Sequence, residues 1–129
     1  FLKRENLQLK QGKLIIIVQN PCFETWFLGN RKIFKRNPQS TVLQRLIQFY
    51  NVQTNDPELM SSRNKEQTKA QFHHDYLKEV FTERNITYTK KNPGTVCDAS
   101  FLQELIKRSQ ETGHLLSFKE LLDFCQSLE

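Results

Sequence analysis

The stretch KLIIIVQNPCFETWFLGN, residues 13–30, decides how this chain is read. Leu14–Val18 is a run of five aliphatic residues with no polar alternation. Such a run reads as a strand buried on both faces, in a sheet covered by helices. Asn20-Pro21 ends it, because the residue before proline is pushed out of the α region. Pro21 then suits the first turn of a following helix, CFETWFL, which Gly29 closes. The expected class is therefore α/β. One strand of this kind cannot be covered alone, so an upstream segment or a second chain is expected to complete the sheet.

Outward from that stretch, helices dominate. Residues 1–11 read as the end of a helix punctuated by Gly12. Residues 30–41 form a cation-rich loop, after which Ser40 or Thr41 caps a helix whose stripe is Val42, Leu43, Leu46, Ile47 and Tyr50. Residues 51–67 are polar and aperiodic, and are expected to be a mobile loop. A helix near 68–84 carries Phe72, Tyr76, Leu77, Val80 and Phe81 on one face. NITYTKK, residues 85–91, is a short strand candidate ended by Asn92-Pro93-Gly94. Ser100-x-x-Gln103 and Ser117-x-x-Glu120 have the spacing of capping boxes for two last helices, separated by Gly113.

The chain has 129 residues, the size of one domain of ordinary proportions. Its net charge of +5 is uneven: residues 1–65 hold eleven Lys or Arg against four acids, and residues 66–129 hold eight against ten. A basic half suits a polyanionic partner, nucleic acid or acidic protein. Cys22, Cys97 and Cys125 lack C-x-x-C spacing and are expected to be reduced and mostly buried, which favours a cytoplasmic location. No stretch approaches the roughly 20 apolar residues of a membrane span. Position 1 is Phe, and part of the working protein is expected to lie upstream.

Glu24 is the candidate site residue. It follows the carboxyl end of the first strand, where open parallel sheets place their ligands, and Gln19 and Asn20 occupy the same rim. Its neighbours Phe23, Trp26, Phe27 and Leu28 are apolar. A carboxylate there could favour the helix N-terminus, pair with an arginine, or ligate a metal. Magnesium would need more than this one carboxylate, and Asp98 is as readily a helix-start residue. Adjacent His73 and His74 point about 100° apart on a helix, so at most one faces a site. Arg31, Lys32, Lys35 and Arg36 form one basic cluster and Lys90 with Lys91 a second. Both read either as solvated loop charge or as contacts to a nucleic-acid backbone. Walker, dinucleotide and G-x-S-x-G patterns are all missing.

Asn20–Leu28, NPCFETWFL, following KLIIIV, resembles the late strand-to-helix segment of RloB-like and related TOPRIM-domain proteins of bacterial defence loci. The resemblance extends to the overcoming-lysogenization-defect-type nucleases. It implies that residues 1–129 are a portion of a TOPRIM-like domain with a mostly helical C-terminal region. By position, Glu24 resembles a late magnesium-binding acid of that group. The group's early glutamate and its Asp-x-Asp are not in this sequence and would precede Phe1. The resemblance implies a magnesium-dependent nuclease-like effector, a hydrolase acting on nucleic acid and serving as an antiviral toxin. The alternative is a non-catalytic module that binds nucleic acid or assembles with a regulatory protein or a second copy of itself.

Overall fold

The computed structural model describes residues 17–128. All regular structure among them is helical: α1 (Phe23–Phe27), α2 (Thr41–Phe49), α3 (Lys69–Glu83), α4 (Ala99–Thr112) and α5 (Leu116–Ser127). Single 3₁₀ turns lie at Arg31–Ile33, Pro57–Leu59 and Gly94–Cys97. No helix of the described residues is long and apolar enough to cross a membrane.

The helical part of the expected α/β class is therefore present, while the expected strands are not seen among the described residues. Leu14–Ile16 lie outside them; Ile17 and Val18 follow an irregular path, and Val18 is 69% exposed. Residues 85–91 are irregular as well. Their alternation is real, since Ile86 and Tyr88 pack on the core while Thr87 and Thr89 are exposed. Tyr88 meets the helix-borne rings of Phe27 and Phe81, and no ladder forms among the described residues.

α3 is the central element and packs against α1 and α2. Thr68 and Gln71 cap it reciprocally, each side chain taking the other's backbone N–H. Phe72, Tyr76, Leu77, Val80 and Phe81 are all at most 2% exposed, the stripe that 3.6-residue periodicity predicts. α2 starts on Ser40, whose hydroxyl accepts from Leu43 N at 3.2 Å. The two capping boxes expected later are both absent. α4 starts after Asp98 without a side-chain cap. α5 starts after Leu115, which is in the left-handed region at φ 60° with a fully buried side chain. That conformation costs a non-glycine residue roughly 1–2 kcal/mol, and the packing of Leu115 holds it. Ser117 is turned inward, away from any cap.

Residues 51–67, expected as a mobile loop, contribute Val52, Pro57, Glu58 and Met60 to the buried interior. Arg108 of α4 ties this segment down. Its guanidinium is wholly buried and donates to the carbonyls of Gly29 (3.2 Å), Val52 (2.6 Å) and Asn55 (3.0 Å), and through Nε to His114 Nδ1 (3.2 Å). Burial, and secondarily Arg31, push its pKa down to about 10, so it stays charged at neutral pH. The three cysteines are free, but the expectation of buried thiols is corrected: Cys97 and Cys125 are exposed and Cys22 is half-buried.

Gly29 is required by close approach. A Cβ there would stand 2.5 Å from Leu115 Cδ1 and 2.9 Å from the Trp26 carbonyl. Gly29→Ala is expected to destabilise the fold by about 1–3 kcal/mol, as overpacking does, seen as a lower urea midpoint with an unchanged slope.

Candidate functional site

Glu24 sits in the first turn of α1, and the helix turns it under the segment that follows α3. That segment is positioned by aromatic packing. Tyr88 meets Phe27 and Phe81 edge-on, with ring centroids 5.8 and 5.9 Å away, and Phe27 meets Phe101 of α4 in the same manner. Asn85, at φ 55°, and a 2.8 Å bond from Ile86 N to the Phe81 carbonyl make the turn out of α3. Asparagine tolerates that left-handed region better than most residues.

The result is a buried carboxylate with a defined partner. Glu24 is 3% exposed, and Tyr88 donates its hydroxyl to Oε2 at 2.7 Å. Burial first, and the bond to Glu24 second, push the Tyr88 phenol well above its usual range. Lys90 Nζ lies 4.0 Å from Oε1, at the outer limit of an ion pair, with its side chain 76% exposed. Among the described residues, the arginine expected as a pairing partner is not beside Glu24; a lysine stands at the outer limit of pairing and a phenol is the closer partner.

Glu24 opens onto a depression of about 320 Å³ lined also by Cys22, Gln71, His74, Asp75 and Lys90. Asp75 was invisible as a companion of Glu24 in the sequence, because only the packing of α3 on α1 brings it there. Among the described residues, no three His, Cys, Asp or Glu side chains group as a metal site. Glu24 can offer magnesium one carboxylate, and a complete shell would draw on ligands beyond this group.

The two histidines separate as helix geometry requires. His74 faces the depression, whereas His73 is fully buried between Thr25 Oγ1 and the Met60 carbonyl, each at 2.7 Å from a ring nitrogen. The basic clusters also part company. Arg31 pairs with Glu111 at 2.8 Å and Lys32 with Glu104 at 3.1 Å, docking the first 3₁₀ turn onto α4. Lys35, Arg36 and Lys91 are exposed. The cation lining the Glu24 depression is Lys90, and none of the 31–36 cations lines it. Asp98 remains an exposed helix-start residue. Asn20 is held by Lys69 Nζ at 3.2 Å and lines a different depression, with Asp56 and Glu58.

Glu58 is a second buried carboxylate, hidden in the sequence by its polar, aperiodic surroundings. It accepts from Trp26 Nε1 at 3.3 Å, from Ser117 N at 3.3 Å and from the Ser117 hydroxyl. Trp26 Nε1 also donates to Ser117 Oγ at 2.8 Å. This network joins α1, the Pro57–Leu59 turn and the start of α5. All its donors are spent on structure.

No protein-family model, curated protein or solved structure matches this chain.

Proposed function

We propose that this chain is the nucleic-acid-engaging portion of a magnesium-dependent, nuclease-like effector, a toxin of a bacterial anti-phage system. In this reading it is the late, mostly helical part of a TOPRIM-like α/β domain. Glu24 contributes one magnesium-binding carboxylate, and the other acids come from an upstream region or a second chain. The observation that supports it is a buried Glu24 opening onto a depression shared with Asp75, His74 and Lys90. A carboxylate beside an exposed ammonium suits a phosphodiester, whose charge the ammonium would neutralise. Bound magnesium would polarise the phosphate and orient water.

The test uses the product of the complete open reading frame. Magnesium-dependent cleavage of single-stranded and duplex DNA and RNA is measured for wild type and Glu24→Gln. Activity is expected to fall about tenfold or more, at least the cost of losing a residue that supports a metal. Equal cleavage by both proteins removes Glu24 from the site, and cleavage by neither removes the nuclease reading.

One observation favours a second reading. The 2.7 Å bond from Tyr88 already engages Glu24 in holding two segments together. A non-catalytic module that binds nucleic acid, or assembles with a regulatory protein, needs nothing more of that carboxylate.

A further inference from the structure

The depression at Glu24 shares His74 and Lys90 with a larger neighbouring cavity of about 440 Å³, between α3 and residues 86–90. That volume lies within the range of small-molecule sites, roughly 300–1,000 Å³. Its lining is chemically one-sided. Lys78, Lys90 and His74 supply the basic groups, and no carboxylate lines it. The hydroxyls of Thr82, Thr87 and Thr89 add neutral hydrogen-bonding groups. Ile86 and Tyr88, over buried Phe81, give it apolar surface. An anion with a flat apolar part meets all three features, whereas a cation or a purely apolar ligand meets only some of them.

We infer that this cavity is a nucleotide site, taking a phosphate at Lys78 and Lys90 and an unstacked base against Ile86 and Tyr88. The inference deepens the nucleic-acid reading above and rests on it for the identity of the anion. Apolar and aromatic surface beside cations is how proteins hold single strands without choosing a sequence. Lys90 stands at the junction of the two depressions, so a strand held here would run its next phosphate toward Glu24.

The probe is a short fluorescein-labelled single-stranded DNA and its RNA counterpart, titrated by anisotropy across a salt series without magnesium. Lys78→Gln and Lys90→Gln are each expected to weaken binding about tenfold and to reduce the slope of log affinity against log salt by about one. Both side chains are exposed, and unchanged melting temperatures check that the fold is intact. Lys119→Gln, the same charge loss on α5, is expected to bind as wild type. Unlabelled nucleoside monophosphate is added as competitor. Displacement identifies the single nucleotide as sufficient, and lysine-dependent strand binding without displacement identifies the strand as the ligand. Wild-type affinity and slope in both lysine variants overturns the site. Lysine-dependent binding by a protein that cleaves nothing removes the nuclease reading and leaves this site standing.

Discussion

Replacing Arg108 by methionine is expected to cost about 3–5 kcal/mol, much of the roughly 5–15 kcal/mol that holds a domain together. The reason lies in what stays behind. Where a buried arginine pairs with a carboxylate, apolar substitution of both partners can be neutral or stabilising. Here the acceptors are the backbone carbonyls of Gly29, Val52 and Asn55, which no substitution removes. Methionine fills much of the stem volume but supplies no donor, so those carbonyls lose their partner in the interior, and each such loss is worth about 1–3 kcal/mol. Burial and the neighbouring Arg108 charge hold the His114 pKa below its ordinary value, keeping Nδ1 available as an acceptor. Arg108→Lys, with a single ammonium in place of the planar fork, is expected to fall between methionine and wild type. Urea unfolding decides it: a methionine variant within 1 kcal/mol of wild type would show that the tie does not hold residues 51–60 to the core.

That tie also explains what could be read in the sequence and what could not. The α3 stripe was legible because five apolar residues recur at helical spacing and all of them are buried. The cap of α2 was legible to within one residue, as Ser40 or Thr41, because both precede an amphipathic run, and it is Ser40 that caps. The buried anchors within residues 51–60 were not legible because they are polar: Glu58, Asp56 and backbone carbonyls, whose partners come from α1, α4 and the start of α5. Composition marks such residues as solvent-seeking, and only the tertiary fold supplies the donors that let them be buried. Ser117 shows the same effect from the other side. Its spacing to Glu120 fits a capping box, but buried Glu58 and the Trp26 indole claim its hydroxyl. At the candidate site, Glu24 was legible from its isolation among aromatics. Asp75 and Tyr88 were not, since they join it only through the packing of α3 and the segment after it on α1.

Between pH 7 and pH 5 the protein is expected to lose about 2 kcal/mol of stability through His73 alone. The imidazole lies in the interior, with Nδ1 against the Thr25 hydroxyl and Nε2 against the Met60 carbonyl. A carbonyl can only accept, so Nε2 carries the proton, and Nδ1 accepts from Thr25 in the neutral ring. Desolvation, assisted by nearby Lys69 and opposed by the Met60 bond, pushes the pKa down to about 4 from its ordinary 6.5. A folded-state pKa below the unfolded one means that the unfolded chain binds the proton more readily. The contribution is therefore fully present above about pH 6.5, and is lost as pH falls from there toward about 4, levelling off beneath it. The limiting loss is about 3 kcal/mol, and within the window the slope approaches about 1.4 kcal/mol per pH unit, the value for one proton. Carboxylates titrate mainly below pH 5, so in the upper part of the window His73 is joined by His114, whose pKa is also held down and which is present in both proteins compared below. Protonation would also turn Nδ1 from acceptor to donor, forcing the Thr25 hydroxyl to reverse and loosening the junction of α1 with α3 that places Glu24. Urea midpoints across pH 5–7 for wild type and His73→Gln provide the check. The variant is expected to be less stable at pH 7 but to have a much flatter profile, and equal slopes in the two proteins would exclude His73 as the titrating group.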